Sequence, residues 1–227
     1  IPRSYEKPSS PFLSPPSPVI LAPLFRHLSL RTRSCRKVRI AIDARMINPG
    51  SMHGIARYVF ELLRCLREGK AGFEFFIIVN ESSPLEELTW PSFMHLVKVR
   101  GGWFSLRQQW ELPRVLKDIR ADLFHAPSFM APLMCSCKLV MTIHDLNHIV
   151  LPQFYTPFHQ FYYQTFVRNC VRRSEYILTV SNFSKNEIVR NFNISEDKVF
   201  VTYNGVTDHY RPVIDEEQLD YVRDLYQ

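Results

Sequence analysis

From Val38 onward the chain alternates short apolar runs with stretches of helical period, and this alternation restricts the fold more than any other feature. Val38-Arg-Ile-Ala-Ile-Asp43 is an apolar run closed by a carboxylate, as in a parallel strand buried on both faces. Ile55, Val59, Leu62, Leu63 and Leu66 then recur at spacings of three and four, and Gly69 and Gly72 end the run. That spacing predicts a helix with one apolar face. Further strands are expected at 73–79, 96–99, 122–125, 138–143, 176–180 and 199–201. Helices are expected at 106–119, with a break near Pro113, at 156–173, at 184–192 and from Glu216. Such a series builds right-handed βαβ units. The fold class is therefore α/β: a Rossmann-like, doubly wound, mainly parallel sheet with helices on both faces. In such sheets ligands bind beyond the carboxyl ends of the strands, so the residues just after each strand are the candidates for chemistry.

Composition narrows the class of function. Hydrophobic residues are 46% and charged residues 22% of the 227, ordinary for a globular protein. The net charge of +6 is unevenly spread. Residues 1–37 hold seven of the 28 Lys and Arg and one of the 22 acids, so the remaining 21 of each sign balance. That balance argues against a nucleic-acid binder. Residues 1–36 carry seven Pro and seven Ser, a composition that cannot bury enough apolar surface to fold, and are expected to be a disordered tail. Its Arg and Ser also fit a targeting peptide, but an upstream extension or a fragment edge is the preferred expectation, since the chain begins with Ile rather than Met. Five cysteines without framework spacing favour a reducing compartment over a disulfide-stapled fold. Cys135-x-Cys137 lacks a second pair to complete a zinc site, so no metal is expected. No apolar stretch approaches the ~20 residues that span a bilayer.

Four strand-end segments stand out. The first, Asp43 to Tyr58, brings Gly54 to the start of a helix, where exposed amides suit a phosphate. Next come Asp122-Leu-Phe-His-Ala-Pro127, Thr142-Ile-His-Asp-Leu146 and Thr179-Val-Ser-Asn-Phe-Ser184, and a turn at Asn204-Gly205 follows. The G-x-G-x-x-G dinucleotide fingerprint and the G-x-S-x-G nucleophile elbow are both absent. His144-Asp145 is therefore not read as part of a triad. His125 and Asn204-Gly205 read as structural, and Ser181 and Asn182 suit either a cleft wall or a helix cap.

In this order, Ile42-Asp-Ala-Arg45, Asp122 to Pro127, Thr142 to Asp145, Val180 to Ser184 and Asn204-Gly-Val206 resemble the N-terminal domain of the family 4 glycosyltransferases with the GT-B fold. The resemblance covers about residues 38–212. Two departures stand out: Gly54-Ile55-Ala56 where many relatives have Gly-Ile-Gly, and Thr207 where they have Asp.

The resemblance implies two Rossmann-like domains across a cleft, with the acceptor chiefly on the N-terminal one. It implies a domain over 37–212, with 213–227 leading into a second domain that holds the nucleotide sugar, a GDP- or UDP-hexose. The implied activity is retaining hexosyl transfer, mannosyl transfer among the candidates, without a metal or other cofactor. Acceptors would be hydroxyls of glycans or lipid-linked saccharides, in a cytoplasmic enzyme with room for peripheral contact on the inner membrane face. By the same resemblance His144 is the catalytic-site residue, and Gly54, Ile55, Asp145, Ser181 and Asn182 bind substrate or donor. The chain alone would be inactive; the alternative is a non-catalytic partner module of the same fold.

Overall fold

The computed structural model describes residues 36–50, 53–69, 72–103, 105–154, 156, 162–205 and 215–226. Of the expected tail only Arg36 falls among them, and Val206, Thr207 and most of 213–215 lie outside the described residues. Two compact units are present, one ending at Asn204 and one beginning at Gly205.

In the larger unit the strands are β1 (Val38–Asp43), β2 (Phe73–Asn80), β3 (Met94–Val99), β4 (Leu123–Ala126), β5 (Lys138–Thr142), β6 (Tyr176–Thr179) and β7 (Val199–Val201). They form one sheet in the order β3-β2-β1-β4-β5-β6-β7, and every pair is parallel. The register sets Ile42 beside His125, Ala126 beside Met141 and Thr142 beside Leu178. The carboxyl ends of β1, β4, β5 and β6 thus finish along one edge. Strand order reverses between β1 and β4, which opens a crevice at that edge.

Alternate residues of each strand feed two cores. Ile40, Ile42, Ile77 and Val140 pack with Ala56, Val59 and Leu63 of α1 (Gly54–Arg67). Ala41, Phe124, Met141 and Ile177 pack on the other face with α2 (Gln108–Asp118), α4 (Arg168–Arg173) and α5 (Asn182–Phe192). A short α3 (Asn147–Val150) follows β5. The doubly wound expectation is borne out.

Several boundaries differ from expectation. Pro113 lies inside α2 without ending it. A mid-helix proline costs about 3 kcal/mol, and the full burial of Leu112 and Leu116, at about 1.5–3 kcal/mol each, offsets it. α5 begins two residues before the expected Ser184, because Ser181 is the cap: its Oγ accepts the Ser184 amide at 3.0 Å. Asn193 ends α5 in the left-handed region, φ 52°, which Asn tolerates. The helix expected over 156–173 is described only in its second half. A π-helical turn at Tyr163–Val167 precedes α4 there. In the described half Tyr162 and Phe166 stack, 4.9 Å apart.

The second unit contributes α6 (Glu216–Leu225), the helix expected from Glu216, capped by the Asp215 carboxylate on the Glu217 amide at 3.1 Å.

Candidate functional site

β1 delivers an ion pair to the crevice edge. Asp43 ends the strand and Arg45 turns back on it: Nε donates to one carboxylate oxygen at 2.8 Å and Nη2 to the other at 2.8 Å. Nη1 donates to the Gly101 and Gly102 carbonyls at 3.2 Å each, and Nη2 also to Gln108 Oε1 at 2.9 Å. All five guanidinium N–H groups are thereby used, and both side chains are fully buried. Burial alone would lower the Arg45 pKa; the charge and hydrogen bond of Asp43 outweigh it and raise it. From the other side, Glu111 accepts the Arg100 and Gly101 amides at 3.0 and 2.8 Å. A Cβ on Gly101 would come within 2.6 Å of that carboxylate, so a larger residue there would push the Glu111 side chain aside. The pair is a latch between the β1 end and the 100–102 loop.

β5 delivers His144 to the same edge. Its Nε2 lies 3.1 Å from the Pro127 carbonyl. A carbonyl only accepts, so Nε2 carries the proton and Nδ1 is the acceptor of the neutral ring. Burial lowers the His144 pKa, against the Pro127 bond and the Asp145 charge, so the neutral form persists. The Tyr58 ring of α1 meets His144 edge-on at 4.8 Å. The Tyr58 hydroxyl is buried beside Thr142 and Thr202, and burial raises its pKa. Behind the loop, Ser184 Oγ donates to the His144 carbonyl at 3.1 Å. One layer deeper, His125 Nε2 lies 2.9 Å from Thr142 Oγ1. Burial, with His144 nearby, lowers the His125 pKa to about 4.

The sequence-predicted residues divide in two. His144 and the head of α1 share the edge, since Tyr58 stands one turn after Gly54. Gly54 is exposed, and a Cβ there would meet nothing within 4 Å. Gly54 and Ile55 supply first-turn amides, which have no intrahelical partner in an α-helix, while His53 caps the Ala56 amide at 3.4 Å. Ala56 is fully buried against the sheet, so the departure from Gly-Ile-Gly is a methyl group in the core. The other residues have local partners. Asp145 accepts the Asn147 amide at 3.0 Å, Ser181 caps α5, and Asn182 donates to the Tyr203 hydroxyl at 2.9 Å. Asp145 and Asn182 remain exposed. Pro127, Tyr58 and Thr142 were not picked out individually, although each lies in a segment that was. What marks them is contact with His144 or with its support, and contact has no signature in a single sequence. Among the described residues no group of three or more His, Cys, Asp or Glu is placed to hold a metal ion.

Residues 52–210 match the profile of Glycosyltransferase Family 4. The chain is 29% identical over 106 residues to the O-antigen chain mannosyltransferase B of Escherichia coli, 47% of this chain and 26% of that protein. It thus spans about a quarter of that relative's length. Among solved structures it is similar to a glycosyltransferase from Rickettsia africae ESF-5 (TM-score 0.44, 17% identity, 84% of this chain and 50% of that one). It is also similar to a variant of the wall teichoic acid polymerase TagF (TM-score 0.41, 13% identity, 72% and 37%).

Proposed function

The chain belongs to glycosyltransferase family 4, and from that premise we propose that its larger unit is the acceptor side of a retaining hexosyltransferase. The donor is a nucleotide sugar, a GDP- or UDP-hexose, gripped chiefly by a second domain across the crevice. The acceptor is a hydroxyl of a glycan or a lipid-linked saccharide. The name of the Escherichia coli relative supports mannose as the hexose.

The observation that carries this reading is the 3.1 Å approach of His144 Nε2 to the Pro127 carbonyl, from which its tautomer follows. With Nε2–H held by Pro127, the ring offers Nδ1 as an acceptor for a sugar hydroxyl, and its lowered pKa keeps that lone pair available. An uncharged imidazole at this position orients the transferred hexose without adding charge beside the anomeric carbon. Gly54 and Ile55 at the head of α1 turn amides and the positive end of the helix dipole toward the donor diphosphate. In this reading the leaving group is stabilised by protein amides rather than by a cation. Ser181 and Asn182 hold the crevice wall, and Asp145 shapes the loop above it. Val150, Leu151 and Phe154, exposed just beyond the His144 loop, suit an acceptor with a lipid tail and a peripheral position on the cytoplasmic membrane face. No described helix is long and apolar enough to cross a membrane.

Calorimetric titration of the chain with GDP- and UDP-hexoses tests the division of labour. Weak or undetectable binding is expected. A Kd tighter than about 1 µM, some 8 kcal/mol of binding from this side alone, overturns it.

A further inference from the structure

At the opposite edge of the sheet from His144, two thiols sit where the chain enters β5. Cys135 and Cys137 are one residue apart, and Cys137 directly precedes Lys138, the first residue of the strand. Two peptide units span at most ~7 Å, within reach of a disulfide. Arg173, the last residue of α4, places Nη1 3.1 Å from the Cys135 sulfur. Its Nη2 donates to the Pro132 carbonyl at 3.1 Å, which fixes the guanidinium there. Both thiols are half-buried and reachable, whereas Cys170 is buried with its thiol toward the Ala131 and Pro132 carbonyls. Hydrogen bonding from the Cys137 thiol, then Arg173, lowers the Cys135 pKa to about 6 against the effect of burial. Cys137 is pushed up by Cys135 beside it. Cys135 is thus prepared to attack, while Cys137 stays a protonated thiol until the charge of its neighbour is discharged in the mixed disulfide.

We propose that Cys135 and Cys137 form a redox-active dithiol that reacts with low-molecular-weight disulfides, with Arg173 as the cation that activates Cys135. The Cys135 thiolate attacks one sulfur of the small disulfide and expels the first thiolate, leaving a mixed disulfide. Cys137 then gives its proton to solvent, attacks the Cys135 sulfur and expels the second thiolate. The protein dithiol loses two electrons, and the small disulfide gains them as two thiols. The step uses no residue of the crevice, and all of β5 separates it from His144, so it stands or falls independently of the transfer reaction.

The test is exposure of the chain to glutathione disulfide at pH 6, followed by alkylation and peptide mass analysis. At this pH about half of Cys135 is thiolate, and its reaction is expected on the order of tenfold faster than that of Cys65, whose pKa is raised by burial. At higher pH the weaker intrinsic nucleophilicity of a low-pKa thiol offsets the gain. The peptide containing both cysteines is expected to lose two hydrogens, and Cys137→Ser to trap glutathione on Cys135. Arg173→Gln should slow the attack by about tenfold, while Arg173→Lys keeps most of the rate. Attack no faster at Cys135 than at Cys65 overturns the proposal. So does glutathione that stays on Cys135 beside a free Cys137 in the unaltered chain.

Discussion

The ends of β1 and β5 reach the same edge of the sheet and each brings a polar group to it, but they handle that group in opposite ways. Arg45 spends all five donors on Asp43, Gly101, Gly102 and Gln108 and is wholly buried. His144 commits one ring nitrogen to Pro127 and is only partly covered. A group with every hydrogen bond satisfied internally has nothing left to offer a ligand, whereas a half-committed ring held in one tautomer does. The contrast separates scaffold from site better than residue type does, since by type alone Asp43 and Arg45 look at least as reactive.

Arg45→Met challenges the contrast most severely. It leaves Asp43 buried without its partner, so a loss of about 3–5 kcal/mol in denaturant unfolding is expected. A loss below ~1 kcal/mol would mean that the latch is not structural. His125 sharpens the contrast through pH. The unfolded chain takes up a proton below about 6.5, which the folded chain refuses until about 4, so stability falls as pH drops through that window, by up to about 3 kcal/mol. His125→Gln should flatten that slope in thermal melts recorded from pH 7 to 4.

For His144 the effect belongs on activity. His144→Ala in the proposed two-domain enzyme is expected to cut transfer about a hundredfold, near 2.7 kcal/mol of barrier, while stability moves by less than ~1 kcal/mol. Equal losses in both would return His144 to the scaffold. Ser181→Ala should cost about 1 kcal/mol of stability as a lost helix cap. Gly54→Ala is the smallest test. With open space for the methyl, stability should hold or rise by about 0.5 kcal/mol, and weakened donor binding in the proposed two-domain enzyme would identify the head of α1 as the phosphate site.

Much of this was legible in the sequence, for local reasons. Apolar runs such as 38–43 and 138–142 can be satisfied only by burial on both faces, and a 3.6-residue period has one apolar stripe to hide. The strands and the doubly wound class therefore follow without tertiary information. His144 and Gly54 were singled out because strand ends are where such sheets expose polar groups and because the family resemblance gives those two positions a role. Pro113 misled because its penalty is local while the compensating burial of Leu112 and Leu116 is not.

What the sequence determined by itself is the alternation of elements, hence the parallel sheet and the edge at which chemistry gathers. Only the tertiary structure decided which polar groups at that edge are already satisfied. Arg45 is spent on carbonyls that arrive from the 101–102 loop, and His144 is fixed by the carbonyl of Pro127. Hydrogen bonding depends on distance in space, and residues 17 or 56 positions apart meet only after the sheet has assembled.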